Sequence, residues 1–249
     1  VDAFMFASTN NKVLHIEKDA ELVDIVKNNK QQFQLQNLDS HCTTAEDFLK
    51  NIETNVDWFY IDPSRRDKNL KKVFLFEDCE PNILDLLPIL KAKSKHTLIK
   101  TSPLIDISYG IKVLKYVSKV HAVCVGNELK ELLWELDFST EETNPTVQTI
   151  QFKNNKTIEF VFRFNSSAED INYTLPLNYL YEPNAALMKV GSFNRLAEAF
   201  QLKKLHPNSH LFTSTELITD FPGRAFKINQ ISDYKPRYLK KELKKSKMN

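Results

Sequence analysis

Short apolar runs alternate with segments of helical periodicity as far as Glu135, and this alternation restricts the fold more than any other feature of the chain. Strands that alternate with helices of this length predict βαβ units and a parallel, doubly wound sheet. Right-handed crossovers would then place the carboxyl end of every strand on one rim, where such sheets bind their ligands. The strand-like runs include residues 58–61, 97–100 and 121–126, and helical spacing marks residues 20–29, 81–90, 107–117 and 127–135.

A different pattern follows Phe138. Residues 146–152 and 157–164 alternate with period two on either side of Asn154-Asn155, which predicts an antiparallel hairpin. This hairpin could close the edge of the first sheet or begin a small α+β module. Residues 166–178 are polar and are interpreted as a linker.

The remaining chain predicts a mixed module. We expect one helical segment, two strands and a basic helix that begins at Pro236. The predicted parts of the chain are therefore residues 1–138, 139–178 and 179–249. Within the last part, the helical segment covers residues 184–200 and the strands cover residues 210–214 and 224–228.

The bulk composition excludes some classes of protein. A net charge of +2 argues against binding nucleic acid through overall charge, although a local basic patch remains compatible with it. Three widely spaced cysteines and six scattered histidines predict reduced thiols and no metal site. No apolar run reaches the length of about 18 residues that a membrane span needs, and no signal peptide is recognisable. We therefore expect a cytoplasmic protein with no membrane partner.

Polar side chains fall where the predicted strands end. Glu17 ends the first strand, Thr43-Thr44 follow the second, and Lys100 ends a later one. A carboxylate in the position of Glu17 can accept hydrogen bonds from both hydroxyls of a ribose. The competing interpretation is a helix-capping acid, a role for which Asp19 also competes.

The segment Asp62-Pro63-Ser64-Arg65-Arg66 is the sharpest local signal. Asp62 directly follows a buried strand and must face solvent or a ligand, because burying an unpaired carboxylate is costly. Arg65 and Arg66 add two permanent cations that suit phosphate or carboxylate recognition. The alternatives are a structural strand-end turn with an Asp–Arg ion pair, or a pairing of Asp62 with Lys100, whose other candidate partner is a substrate phosphate.

The glycine content opposes a nucleotide-binding interpretation. The chain has four glycines, and none belongs to a GxG turn of the kind that normally follows the first strand of a nucleotide-binding fold.

Several long motifs nevertheless resemble one family, the THUMP-like-domain class I methyltransferases of bacteria, chiefly Bacteroidetes. In the core the resemblance rests on residues 60–66 (YIDPSRR), 78–81 (DCEP), 99–106 (IKTSPLID) and 127–133 (NELKELL). In the last part it rests on residues 179–184, 205–210 and 221–224.

The resemblance implies a fold, an activity and a cofactor. The fold would be α/β, a Rossmann-like methyltransferase core followed by a small α+β THUMP-like module, with a ferredoxin-like insert in the hairpin region. The activity would be methyl transfer from S-adenosylmethionine, with RNA as the expected acceptor and partner.

Site residues follow from the same resemblance. Glu17 would take the ribose position and Thr44-Ala45 the adenine edge, where Thr44 replaces an Asp of many relatives. Asp62-Pro63 matches the catalytic Asp/Asn-Pro position, and Ser64 and Arg65 depart from the usual Pro and aromatic. The cofactor-binding set is Asp2, Glu17, Lys18, Thr44, Ala45 and Asp62; the catalytic set is Asp62, Pro63, Ser64 and Arg65; the substrate-binding set is Arg65, Arg66, Lys100, Ser102 and Arg224.

The missing glycine turn also has an explanation in the resemblance. In this family a first strand and a GxG turn precede a Val-Asp pair, which Val1-Asp2 resembles. We therefore expect the chain to lack this strand and turn, together with part of the C-terminal region, and to bind S-adenosylmethionine poorly.

Two other functions remain open. The departures at Thr44, Ser64 and Arg65 favour a non-catalytic RNA-binding protein built on a methyltransferase scaffold. A third possibility is methylation of a small molecule or a protein.

Overall fold

The structure is a computed structural model, and it describes residues 1–9, 11–65, 75–140, 144–165, 171–232 and 235–236, with only the backbone of Arg65. A short 3-10 helix covers Phe76–Asp78. The helices are α1 (Asp2–Ser8), α2 (Ala20–Gln32), α3 (Ala45–Asn51), α4 (Ile83–Lys93), α5 (Ile107–Leu114), α6 (Ala185–Val190) and α7 (Phe193–Ala199). The strands are β1 (Val13–Glu17), β2 (Leu38–Cys42), β3 (Trp58–Ile61), β4 (Ser64–Arg65), β5 (Cys79–Glu80), β6 (His96–Thr101), β7 (Val117–Val125), β8 (Glu128–Asp137), β9 (Thr146–Lys153), β10 (Lys156–Arg163), β11 (Tyr179–Pro183), β12 (Lys203–Lys204), β13 (Phe212–Ser214) and β14 (Gly223–Lys227).

The main sheet is mixed. It has six strands in the order β10-β9-β7-β8-β6-β3. β3 and β6 are parallel, as predicted, but β8 runs antiparallel to β6. The expectation of an α/β fold is confirmed, whereas the expectation of an all-parallel sheet is wrong. The hairpin β9-β10 extends this sheet, which decides between the two roles that its sequence allowed.

Three smaller sheets complete the described strands. β1 and β2 form a separate parallel pair, and β4 and β5 form a short antiparallel pair. The third sheet has four strands in the order β12-β13-β11-β14. In the part of the chain that the structure describes, β1 and β3 therefore each have a single strand partner.

The predicted helix over residues 127–135 is wrong, because this segment is the strand β8. Its Leu, Glu and Lys residues are good helix formers, but propensity is a weak prior that tertiary context overrides. Leu132, Trp134 and Leu136 are buried at every second position, which is the period of a strand with one face in the core. Trp134 Nε1 donates to Thr101 Oγ1 at 2.8 Å, which links β8 to β6.

Side-chain caps fix the starts of several helices. Asp19 accepts from the backbone of α2, Thr44 from α3, Asn82 from α4 and Asp106 from α5, which satisfies backbone donors that lack helical partners. The predicted helix over residues 184–200 is divided into α6 and α7. Gly191 lies between them with φ of 71°, a left-handed conformation that ends α6.

The chain forms two compact units. One contains Val1–His121 with Glu131–Thr146, and the other contains Ala122–Lys130 with Val147–Asn249. This division does not follow the predicted boundary after residue 138, because β7 and β8 contribute residues to both units. None of the helices in the described ranges is both long and apolar enough to cross a membrane.

Each unit has its own core. In the first, Phe76 and Trp134 make an edge-to-face contact with ring centroids 5.6 Å apart, and both rings are fully buried. In the second, Tyr181, Phe212 and Phe221 form the centre of an apolar cluster. The Tyr181 hydroxyl is satisfied inside this cluster, because it donates to the Glu216 carbonyl at 3.0 Å and accepts from the Ile218 amide at 2.9 Å.

Substituting Gly110→Ala is expected to destabilise the first unit. A Cβ at Gly110 in α5 would overlap the ring of Trp134, which is itself fully buried. Alanine normally stabilises a helix interior relative to glycine, so a loss reveals the steric conflict. We expect the free energy of unfolding to fall by about 1–3 kcal/mol, measured by urea denaturation.

The matched control is Ser108→Ala, an exposed position on the same helix. Its effect should stay within about 0.5 kcal/mol. Equal stability of the two variants would contradict the packing of α5 against Trp134.

Candidate functional site

The carboxyl ends of the parallel strands bring the predicted polar residues to one rim of the first unit. Glu17 ends β1, Thr44 lies two residues beyond β2, and Asp62 directly follows β3. A salt bridge connects the residue after β1 with β5, because Lys18 Nζ lies 2.6 Å from Glu80 Oε1. Glu80 is in turn the antiparallel partner of Ser64, just after Asp62.

Lys100 is the centre of the rim. Its Nζ lies 2.6 Å from Asp62 Oδ2 and 2.9 Å from Asp2 Oδ2. Asp2 Oδ2 also accepts a hydrogen bond from the Tyr60 hydroxyl at 2.6 Å. We call Asp2, Tyr60, Asp62 and Lys100 the rim network. It joins the first turn of α1 to the ends of β3 and β6.

The rim network shifts the pKa values of its members. Partial burial of Lys100 opposes its charge, but its hydrogen bonds to Asp62 and Asp2 outweigh burial and raise its pKa well above the ordinary value. For Asp2, partial burial is outweighed by the hydrogen bonds from Tyr60 and Lys100, so its pKa is lowered. Burial, followed by the hydrogen bond to Asp2, raises the pKa of Tyr60. At neutral pH the ammonium and the carboxylate of Asp2 are therefore charged and the phenol is protonated.

Asp62 keeps a free oxygen in this arrangement. Its side chain is 50% exposed, and among the described residues the ion pair with Lys100 engages Oδ2 alone. The partner that the structure shows for Asp62 is thus Lys100, one of the two that its sequence allowed. Oδ1 remains available to accept a hydrogen bond from a ligand.

Glu17 and the start of α3 offer a second group of ligand contacts. Glu17 Oε1 accepts from the Asp19 amide at 2.9 Å, while Asp19 itself caps α2. Glu17 is therefore not the capping residue, and its Oε2 has no hydrogen bond within the described ranges. Thr44 Oγ1 accepts from the Asp47 amide at 3.1 Å, and the Ala45 amide lies at the first helical position, where no helical acceptor exists.

The other predicted site residues have varied positions. Ser102 Oγ accepts from the Leu104 amide at 3.3 Å, in the turn after β6. Arg224 is in the second unit, where it forms an ion pair with Glu182, so it has a partner other than a substrate. The side chain of Arg65 and all of Arg66 lie outside the described residues.

Sequence reasoning missed two members of the rim. Tyr60 belongs to a motif that was singled out, but no role was assigned to its hydroxyl. Glu80 carries no sequence signal that relates it to Lys18. Both contacts depend on which strand ends meet. No three His, Cys, Asp or Glu side chains in the described part of the chain are grouped as a metal ion would require.

Comparisons with known proteins match one part of the chain to a family model and most of the chain to a solved structure, which is one of several that match. A family model for a ferredoxin-like domain matches residues 179–222. This match falls within the part for which we predicted a THUMP-like module, whereas we expected the ferredoxin-like insert at the hairpin. No curated protein matches the chain significantly.

The solved structure is that of a "putative methyltransferase" from Porphyromonas gingivalis W83, with a TM-score of 0.82 and 31% sequence identity. The alignment covers 94% of this chain and 59% of that chain. This chain thus spans less than two thirds of the length of the protein it matches. A modification subunit of a "putative type I restriction enzyme" from Vibrio vulnificus YJ016 aligns with a TM-score of 0.37 and 11% identity, over 57% of this chain and 36% of that chain.

Removing the cation of the rim network should destabilise the protein. In Lys100→Met, the carboxylates of Asp2 and Asp62 would face each other without the ammonium that now separates them. The Lys100 side chain is only 24% exposed, so solvent screens this loss incompletely. We expect the free energy of unfolding to fall by about 1–3 kcal/mol, measured by urea denaturation at pH 7.

Lys27→Met is the control, because Lys27 forms an exposed ion pair with Asp24 at 3.9 Å. Its effect should remain within about 0.5 kcal/mol. Equal losses in the free energy of unfolding would show that the rim network stabilises the fold no more than an exposed ion pair does.

The lowered pKa of Asp2 predicts an acid-dependent loss of stability. A group with a lowered pKa in the folded state stabilises the fold above its ordinary value, which is 3.8, and this contribution disappears as the pH falls below that value. Asp2→Asn should therefore be less stable than the wild type at pH 7 by less than about 1 kcal/mol, and the difference should be smaller at a second pH below 3.8, because the contribution is lost as the pH falls through the lowered pKa of Asp2. Urea midpoints at the two pH values measure this; a difference independent of pH would contradict it.

Proposed function

We propose that the protein containing this chain transfers a methyl group from S-adenosylmethionine to RNA. The observation that carries the proposal is the match of 94% of the chain, at 31% identity and a TM-score of 0.82, to a protein described as a "putative methyltransferase". The polar rim at the carboxyl ends of β1, β2, β3 and β6 supports it, because open α/β sheets bind ligands at this edge.

The chemistry of the rim fits the nucleoside part of the cofactor. Glu17 Oε2 is a free acceptor for a ribose hydroxyl, next to the oxygen that the Asp19 amide occupies. Within the described ranges the Ala45 amide has no acceptor, which suits a ring nitrogen of adenine, and Thr44 retains its hydroxyl hydrogen while it caps α3. Lys18 is held on Glu80, beside Glu17, and so leaves the ribose acceptor unobstructed.

The rim network suits the reacting end of the site. When bound, the cofactor supplies an electrophilic methyl group on a sulfonium sulfur. Asp2 Oδ1 has no hydrogen bond among the described residues and is a candidate acceptor for an ammonium group. Asp62 Oδ1 would accept a hydrogen bond from the amino group that is methylated and so align its lone pair with the methyl carbon.

Lys100 has a different part in this proposal from the one its sequence suggested. Its ammonium is already engaged by two carboxylates and is three-quarters shielded from solvent. A phosphate would have to displace one of these partners. We therefore assign Lys100 to holding Asp62 in place through their 2.6 Å ion pair, while phosphate contacts stay proposed for Arg65, Arg66 and, in the second unit, Arg224.

A second candidate is an RNA-binding protein without activity. The engagement of both Asp2 and Asp62 by Lys100 favours it, because the ammonium offsets one of the two carboxylate charges and so presents less negative charge to a cofactor. One experiment distinguishes the two candidates. The natural-length protein is incubated with methyl-labelled S-adenosylmethionine and total RNA. Label in RNA supports methyl transfer. RNA binding that weakens with salt and leaves no label supports the second candidate.

Asp62→Ala should abolish methyl transfer and preserve the fold. The fold survives because Lys100 keeps its ion pair with Asp2. Without the acceptor oxygen the amino group is no longer aligned, and we expect the rate to fall by at least about 100-fold. Label incorporation into RNA measures the rate, and circular dichroism checks the fold.

Asp39→Ala is the matched control, because Asp39 also pairs with a lysine, Lys30, at 3.2 Å, but lies in the interior of β2 rather than at a strand end. It should retain full activity. Full activity in Asp62→Ala would remove Asp62 from the mechanism.

A further inference from the structure

A cleft lies at the opposite end of the same strands from the rim network. It has a volume of about 500 Å³ and is formed where β3 and β6 begin. Its lining includes Asp57, Trp58, Lys91, Lys95 and His96. This volume is within the range of small-ligand sites, which is about 300–1,000 Å³. Trp58 and Asp62 are four positions apart on an extended strand, which separates the cleft from the rim by about 13 Å.

Two aromatic rings form a platform in the cleft. Trp58 and His96 are paired neighbours on the parallel strands β3 and β6. Their rings stack with centroids 4.8 Å apart and planes 21° apart. Trp58 remains 48% exposed, so one face of the indole is covered by the imidazole and area remains for a further planar ring. A large apolar ring held in this way, half in solvent, is typical of a binding surface.

The surrounding backbone is fixed by hydrogen bonds. The Val56 amide donates to the Lys93 carbonyl at 3.1 Å. Ser94 Oγ donates to the Asp57 carbonyl at 2.9 Å and accepts from the His96 amide at 3.1 Å. The loops on both sides of the platform are therefore tied to each other, and the cleft needs little rearrangement to accept a ligand.

Charged groups beside the platform differ in their availability. Lys91 Nζ donates to the Tyr116 hydroxyl at 3.0 Å and lies 4.4 Å from the centroid of the same ring. The exposed Lys95 has no ion pair or hydrogen bond through its ammonium within the described ranges. The exposed carboxylate of Asp57 is likewise unpaired there. The cleft thus offers an aromatic face, a free cation and a free acceptor.

We propose that this cleft binds one nucleotide of a single-stranded RNA. The base stacks on Trp58, the phosphate contacts Lys95, and Asp57 accepts a hydrogen bond from an amino or ring N–H group of the base. Aromatic stacking combined with a backbone-tracking cation is the mode in which proteins hold single-stranded nucleic acid. The choice of RNA over a free nucleotide rests on the proposed function, since one platform and one free cation supply little affinity without neighbouring nucleotides.

Tryptophan fluorescence gives a direct readout of this site. The chain has two tryptophans, and Trp134 is fully buried, so quenching by a ligand in solution reports on Trp58. The 249-residue chain, without cofactor, is titrated with a six-nucleotide RNA of mixed sequence. We expect saturable quenching of part of the emission. Trp58→Leu should abolish this quenching and weaken binding of a labelled hexamer by about 5- to 150-fold, the range for one stacked base.

Lys95→Ala should weaken binding of the hexamer by several-fold. It should also reduce the slope of log Kd against log salt concentration by about one unit. Lys50→Ala, an exposed lysine on α3 with a long 4.0 Å contact to Asp47, is the control and should change neither. The half-exposed position of Trp58 makes loss of the fold unexpected, and circular dichroism verifies this.

Three results would overturn the proposal. They are absence of quenching, equal affinity of Trp58→Leu and wild type, and equal affinity for AMP and the hexamer. A glutamate hexapeptide that quenches as strongly as the RNA would also overturn it in favour of a protein partner.

The test is separate from that of methyl transfer. The quenching assay contains no cofactor, so its outcome does not depend on whether the protein transfers a methyl group. Quenching without any methyl transfer in the wild type would remove the proposed activity and leave the cleft as an RNA site.

Discussion

The ion pairs of Lys100 with Asp2 and Asp62 are the interaction on which the rim depends. Three charges that would be unfavourable if partly buried alone become compatible with the fold because they are placed together. The same contacts attach the start of α1 to the ends of β3 and β6, with the Tyr60 hydroxyl as an additional donor. Lys100 therefore connects α1 to the ends of β3 and β6, and it also positions the carboxylates of Asp2 and Asp62.

This network also explains the division of roles in the proposed reaction. A carboxylate that must orient an amino group needs to be fixed, and the ion pair with an ammonium 2.6 Å away holds one of its oxygens. The ion pair engages Oδ2 of Asp62, and the side chain is 50% exposed. The nucleoside contacts at Glu17 and Ala45 belong to a different strand pair, and the Lys18–Glu80 bridge keeps the two groups on one rim.

The sequence predicted some strands of the fold better than β8, which lies inside the main sheet. β1, β3, β6 and the hairpin β9-β10 follow their predicted segments closely, since short apolar or alternating runs bounded by polar residues have few other solutions. β8 was predicted as a helix because its composition suits one, and only its place between β6 and β7 makes it a strand. The break between α6 and α7 had a local signal, Gly191, that helical periodicity concealed.

The sequence by itself determined that Glu17 and Asp62 would stand at strand ends, since an acid directly after an apolar run cannot enter the core. It also left the partners of Asp62 open, and among the described side chains the tertiary structure pairs it with Lys100. The contacts Tyr60–Asp2, Lys18–Glu80 and Lys100–Asp2 join residues 58, 62 and 98 positions apart. The stack of Trp58 on His96 likewise depends on strand register. No local pattern encodes such contacts, because they arise from which strand ends the fold brings together.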